Sequence, residues 1–474
     1  MITAIIENAM ETIKEEIHNH EIQLQPPSLN PLTSRQFHDA LKKIFSSIAL
    51  QIYKQFLSFF DPTLEFIDYQ GKRFYYKFHS PKKFLTFFGI LEIERSLYQA
   101  KDGQTYIPLD HHWGMSQQFA TEDVRESVAF ALAHLTQSES AQLLKKSSLF
   151  SISETGIRSI TEGFGHFIEE NQESLFQEIH QEEKEMLKVE EEKTDILVAS
   201  IDFASMLVRD PKKERAEEEL SLLMEGKTSK KYSRKMASVA SISRYQLIED
   251  EEKPEKNCLG SVYQARMPEE GWGKLKEDFE RELVASQKNL ENSGRKELVK
   301  IVLMDGQKSL WSYVKGKEEF NDFKKLIDYY HACEHLSEVV NLIFTEEWER
   351  NRWYKEWKGK LKKEENGVNK VLSSINYHKK ARKLGKGKLS KIEEEEKYFI
   401  NNKEMMNYNE FVAKGWPIGS GPVEAACKTI VKTRMCRSGM KWEHETGQNI
   451  LSLRTLAKSG RWDYFWNAHL KSVA

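Results

Sequence analysis

The chain has 474 residues, of which 39% are hydrophobic and 30% charged, and a formal net charge of −2. That is enough for roughly two to four domains with buried cores, while no apolar run approaches the roughly 18 residues of a membrane span. The near-neutral total excludes a uniformly basic nucleic-acid binder, and four cysteines (Cys258, Cys333, Cys427 and Cys436) without a Cys-x-x-Cys pair exclude an ordinary zinc finger. The opening stretch MITAIIENAMETIKEEIHNH carries acids and lacks an apolar signal core, so a soluble, cytoplasmic protein is expected.

Residues 1–70 read as a helical region: one helix, the polar linker QLQPPSLNPLTS, and a second helix in RQFHDALKKIFSSIALQIYKQFLSFF with 3.6-residue periodicity. Residues 71–125 alternate apolar and polar side chains between turn signals, which predicts a small antiparallel sheet between about 72 and 110. Residues 126–195 return to helix. There SESAQLLKKSSLFSISETGIRSITEGF has the outline of a helix-turn-helix whose second helix, capped by Ser153, presents Glu154, Thr155, Arg158 and Ser159 outward, with Arg158 the candidate DNA contact. An acidic linker helix follows at about 169–193.

From 196 to 345 the pattern becomes α/β. The apolar run in DILVASIDFASMLV reads as a strand ending at Asp202, two further strands and an amphipathic helix follow, and a second such run in ELVKIVLMDGQKSLW ends at Asp305. The stretch FKKLIDYYHACEHLSEVVNLIF predicts a short strand breaking at Asp328 into a helix that carries His331. Residues 346–410 read as an all-helical insertion in which 352–391 hold fourteen Lys/Arg against three Glu. Two readings of that block stand: a solvated helical face, or a phosphate-binding surface in which Lys355 and Lys358 neutralise DNA while Trp353, Tyr354 and Trp357 stack on bases. The same rings at helical spacing equally form a core face.

Residues 411–474 contain GWPIGSGPVEAACKTIVKTRM, where Gly421 can serve as N-cap, Pro422 suits the first helical position and Glu424 falls near the positive helix end. A lone acid there is only a cap. It becomes chemistry in company: Asp202 and Asp305 at the ends of neighbouring strands, with Glu424 on a helix against the same sheet edge, would supply the oxygen ligands that hold two Mg²⁺ or Mn²⁺ ions. Asp328 is by itself a helix cap with His331 as its neighbour, or an alternative to Asp305 as second ligand. His331 and His335 lie one turn apart, but ACE between them lacks the His-Glu-x-x-His order of zinc proteases.

These segments (IDF, VLMDGQKSLW, IDYYHACEHL and the C-terminal GWPIGSGPVEAACKTIVKTRMCRSGMKWEHETGQNILSLRTLAKSGRWDYFWNAH) resemble the ISKra group of bacterial insertion-sequence transposases, relatives of the Mutator-type DDE enzymes. The resemblance runs from about 75 to 470, and PLDHHWG is similar to the segment preceding the core, without the cysteine pairs that some relatives carry there. It implies a ribonuclease-H-like α/β core interrupted by an all-helical insertion and preceded by a mixed α+β and helix-turn-helix region. It further implies a metal-binding triad of Asp202, Asp305 and Glu424, and accessory roles for Asp328 and His331. The expected partners are double-stranded DNA at transposon ends and target, and a second copy in a synaptic homodimer. Lys428, Lys432, Arg434 and Arg437 would grip the scissile strand, which places the protein at the nucleoid. A DNA-binding protein without catalysis and a hydrolytic nuclease of the same fold are the rival readings.

Overall fold

The computed structural model describes residues 30–186, 194–209, 232–248, 254–292 and 297–473, together with Lys14 and His18. The protein is a mixed α/β chain with two sheets that divides into two compact units, one running to Phe167 and taking up the chain again from Trp466, the other spanning Ile168–Phe465. No helix among the described residues is long and apolar enough to cross a membrane.

The first unit begins with α1 (Pro31–Ser58), started by Asn30, whose side chain accepts from the Leu32 and Thr33 amides in a capping box with Thr33. The antiparallel sheet follows as β1 (Phe66–Tyr69), β2 (Lys72–Thr86), β3 (Gly89–Ala100) and β4 (Thr105–Tyr106), in that spatial order. Phe84, Leu91, Ile93, Leu109 and Met115 pack with Leu57 of α1 on one face. The short helix α2 (Pro108–His112) buries Asp110 against the Arg95 guanidinium, so the PLDHHWG segment is tied to β3 by a charge pair. Helices α3 (Glu122–His134), α4 (Gln137–Ser147) and α5 (Glu154–Glu170) come next. The hydroxyl of Ser153 accepts from the Gly156 amide at 3.1 Å, and Glu154, Thr155, Arg158 and Ser159 are exposed. The α4–α5 connection, Ser148 to Ser153, is longer than the three or four residues of a compact helix-turn-helix.

The second unit is built on a five-stranded sheet. After α6 (Gln172–Met186) come β5 (Thr194–Arg209), β6 (Tyr232–Ile248), β7 (Glu255–Arg266), α7 (Gly273–Glu291), β8 (Glu297–Met304), α8 (Lys308–Lys315) and β9 (Lys324–Ile327). The spatial order is β7-β6-β5-β8-β9: the first three are antiparallel neighbours, and β8 and β9 add in parallel. Strand β5 is central. Its run ILVASI is buried on both faces, as a strand covered by helices on each side requires. Leu275, Phe279, Leu283 and Leu290 recur on one side of α7, and each fully buried side chain of this kind contributes about 2 kcal/mol.

Beyond β9 the chain is helical: α9 (Tyr329–Ile343), α10 (Glu347–Lys363), α11 (Gly367–Ala381), α12 (Lys386–Asn402) and α13 (Tyr408–Ala413). Residues 346–410 therefore form an all-helical segment between the sheet and the last helices, α14 (Gly421–Ala426, prolonged through Met435), α15 (His444–Lys458) and α16 (Trp462–Val473).

Candidate active site

Strand register gathers the acids. In the β5–β8 pair Thr194 lies opposite Glu297 and Ala199 opposite Val302, so Asp202 and Asp305 are separated in sequence by the same offset as the paired residues. In the β8–β9 pair Met304 lies opposite Ile327, the offset that also relates Asp305 to Asp328. Extending the first register three residues beyond its last pair, Ala199 with Val302, and the second by one sets Asp202, Asp305 and Asp328 level in one row; Asp305 and Asp328 directly follow β8 and β9, whereas Asp202, expected from the sequence to end its strand, lies in the middle of β5, which runs on to Arg209. Level residues on paired parallel strands project to the same face.

The three aspartates are not equivalent. Asp328 is 1% exposed, and both its oxygens are taken: Oδ1 accepts from the His331 amide at 2.8 Å and Oδ2 from the Ser420 amide. Its own amide donates to the Met304 carbonyl, and the Tyr329 amide donates to the Ile418 carbonyl at 2.9 Å. Asp328 thus caps α9 and pins the Pro417–Ser420 loop to the sheet. Gly419 allows that docking, because a Cβ there would lie 2.6 Å from Tyr330 Cε2.

The tether sets the start of α14. Its N-cap is Ser420 instead of the expected Gly421, and the Ser420 hydroxyl, rather than capping a backbone amide, donates to Glu424 Oε1 at 3.1 Å. Burial raises the Glu424 pKa first, and the charges of Asp328 and Asp202 raise it further against the Ser420 bond. Cys427, one turn on and buried, has its thiol pKa pushed up by burial and by the charge and hydrogen bond of Asp202. The Glu424–Cys427 face of the helix is therefore turned to β5 and the acid row.

Asp305 and Glu424 keep solvent access, and Asp202 is half-buried. Asp305 Oδ1 lies 2.8 Å from His331 Nε2, and Glu334 Oε2 lies 3.0 Å from the other ring nitrogen. The hydrogen bond to Asp305 draws the His331 pKa up to about 9 against the opposing effect of burial, so the ring is a cation at neutral pH. Asp202, Asp305 and Glu424 are all-oxygen donors, the chemistry that Mg²⁺ or Mn²⁺ takes. Among the described residues no group of three or more His, Cys, Asp or Glu side chains is placed so that it could hold a metal ion.

Past Glu424 the helix passes through a π-helical turn, Cys427–Lys432. Such a turn frees carbonyls, and the Thr429 carbonyl accepts from both Nε, at 2.9 Å, and Nη2 of the buried Arg454 on α15. Lys428, Lys432 and Arg437 are exposed. Arg434 is not: it is 3% exposed with its guanidinium over the Trp442 ring, which removes it from the set of phosphate contacts expected from the sequence. Trp442 is held there by backbone bonds with Leu207 and Arg209 of β5.

In the helical insertion the rings face inward. Trp353 is 7% exposed and donates through Nε1 to Ser374 Oγ at 3.1 Å, while Tyr354 and Trp357 pack half-buried against the core. They form the core face of α10. Lys355 is exposed, and Lys358 lies over the Tyr354 ring at 5.4 Å.

Ser420, Cys427, Arg454 and Tyr398 carry no motif that singles them out in sequence. Tyr398 lies against Gly306, the residue after Asp305, so a Cβ at 306 would run into Tyr398 Cε2. Gly306→Ala is expected to cost about 1–3 kcal/mol of stability, because the partly buried ring is held by its stack on His335. Thermal unfolding checks it, and an unchanged Tm would show that Tyr398 is free to move.

Compared with protein-family models and with curated proteins, the chain finds no match.

Proposed function

We propose that this chain is a DDE-type transposase with a ribonuclease-H-like core, in which Asp202, Asp305 and Glu424 hold two divalent cations. The observation that supports the reading is the β5–β8 register, which, extended three residues beyond Ala199 and Val302, sets Asp202 level with Asp305, together with Ser420, which bonds both Asp328 and Glu424. The five-stranded mixed sheet, with its first strand central, supports the core assignment, and the helical segment between the second and third acids supports the transposase type.

Bound Mg²⁺ supplies Lewis-acid stabilisation of charge at phosphorus and lowers the pKa of the attacking oxygen. The protein's own residues do the rest. His331 orients the Asp305 carboxylate, Asp328 fixes the approach of α14, and Lys428, Lys432 and Arg437 neutralise phosphates of the strand to be cut. The reaction is in-line displacement at phosphorus: water first cuts at the transposon end, and the exposed 3′-hydroxyl then attacks a target phosphodiester. Two ends must meet, so the working form is a homodimer on double-stranded DNA. Arg158 on α5 contributes to holding the ends, and Lys355 and Lys358 on α10 to the path of the flanking duplex.

A supercoiled plasmid incubated with element-end DNA and Mg²⁺ tests this reading. Joined products establish a transposase, nicks alone a nuclease, and shifted bands without cleavage a binding protein. Neutralising Lys355, Lys358, Lys428 and Lys432 together is expected to flatten the logarithmic dependence of affinity on salt by roughly 3–4 units of slope, close to one for each phosphate no longer neutralised. An unchanged slope would place all four side chains in bulk solvent.

A further inference from the structure

The helical insertion touches the acid row through one small patch. Helix α9 carries His331 and His335 one turn apart, and α12 of the insertion carries Glu395 and Tyr398. His335 Nδ1 lies 2.6 Å from Glu395 Oε2, and its ring stacks on that of Tyr398 with centroids 3.6 Å apart and planes 23° from parallel. The His331 ring meets His335 edge-on at 5.0 Å and Tyr398 at 6.2 Å. Its far nitrogen holds Asp305.

The Tyr398 hydroxyl is enclosed and has no hydrogen-bond partner among the described residues. A buried phenol without a partner is costly. What the residue supplies is its ring, packed between the imidazole pair and the glycine after Asp305. Burial and the neighbouring Asp305 and Asp328 charges also push its pKa upward, so it stays neutral.

We propose that Tyr398 and His335 are positioning residues through which the helical insertion holds the His331 imidazole against Asp305, fixing the direction in which that carboxylate presents its second oxygen. The purpose of the clamp rests on the cation-binding reading above; the clamp itself does not. A side chain one-third exposed, as His331 is, has several rotamers open to it unless neighbours remove them; the His335 and Tyr398 rings do so from one side, with Glu395 holding His335, and Glu334 meets the Nδ1 side at 3.0 Å. The insertion is thereby more than a spacer between the second and third acids. Its seating on α9 decides whether Asp305 is ready.

The full-length protein carrying ¹⁵N-labelled histidine tests this by NMR, in wild type, Tyr398→Phe, Tyr398→Leu and Glu395→Gln. Wild type and Tyr398→Phe are expected to share one hydrogen-bonded His331 Nε2 resonance, since the ring is kept. Tyr398→Leu is expected to lose it and Glu395→Gln to broaden it. Calorimetric Mn²⁺ affinity is expected to fall roughly 10- to 100-fold in Tyr398→Leu with the KM for DNA unchanged, the scale on which groups supporting a ligand act. If Tyr398→Leu fails to fold, the conservative Glu395→Gln decides the matter. An unaltered His331 resonance in folded Tyr398→Leu or in Glu395→Gln overturns the clamp, whereas wild type that binds no Mn²⁺ overturns the cation reading and leaves the resonance to judge the clamp.

Discussion

Glu424→Gln is expected to abolish strand cleavage in Mg²⁺, a fall of roughly three orders of magnitude or more, while the protein folds as before. The amide keeps the size of the side chain and the bond from Ser420 Oγ, so α14 has no reason to shift. It removes the negative charge that burial, Asp328 and Asp202 all disfavour. The sign follows from the raised pKa: a carboxyl held above its unfolded value favours the folded state at low pH and loses that advantage as pH rises through the folded value. At neutral pH the ionised Glu424 is therefore a net cost, and the variant should unfold at the same temperature or slightly higher. A mere helix cap would give the reverse, full activity with about 0.5–1 kcal/mol of stability lost. Single-turnover cleavage together with thermal unfolding separates the two. If substantial cleavage survives, the third ligand is elsewhere, with Glu443 and Glu445 next in order. Glu443 faces Arg209 at 3.4 Å, so it would first have to leave that partner.

Arg461→Met should destabilise the second unit by about 3–5 kcal/mol, the cost of leaving a buried carboxylate without its cation. Arg461 is 7% exposed and spreads its guanidinium over two acids, meeting Glu183 at 2.6 Å through Nε and Glu282 at 2.7 Å through Nη2. His180 Nε2 lies 3.1 Å from the same Glu282 oxygen. This cluster joins α6, α7 and the start of α16 behind the sheet. Burial opposes ionisation of Glu282, but the Arg461 charge and the bonds from His180 and Arg461 outweigh it and hold the pKa far below the carboxylate range. A depressed acid contributes stability above its unfolded pKa of about 4.3 and loses it as pH falls through the folded value. The gap between wild type and variant should accordingly be full at pH 7 and narrow steadily below about pH 4. Urea unfolding at both pH values checks this, and a gap independent of pH would mean that Arg461 acts by packing alone.

Much of the fold is legible in the sequence because it depends on local patterns. The β-branched runs through Asp202 and up to Asp305, the break from strand to helix at Asp328 and the amphipathic helices of the insertion are statements about neighbouring residues, which periodicity records; the continuation of β5 past Asp202 to Arg209 is not among them, because it rests on pairing with β6. The site is less legible because it depends on pairing. The separation of Asp202 and Asp305 has no meaning until β5 and β8 are known to be parallel neighbours in that register. The tether role of Asp328 depends on Ser420, 92 residues away. Arg434 has the spacing of a surface cation and is drawn inward only because Trp442 folds back onto the end of β5. Tyr398 lies in a charged stretch whose pattern marks a helix and says nothing of which ring faces the acids.

The π turn at Cys427–Lys432 makes the spacing between Glu424 and the cations behind it intolerant of length change. Each residue of an α-helix turns the chain by about 100°, and a π turn is in effect an α-helix that has absorbed one extra residue. Deleting any one position within it would restore regular helix and satisfy the Thr429 carbonyl without Arg454, a locally favourable change. The same deletion would swing everything downstream by about a quarter of a revolution, carrying Lys432 out of line with Glu424 and lifting Trp442 from β5. On the function proposed above, the number of residues between Glu424 and the lysines that follow it therefore matters as much as their identity.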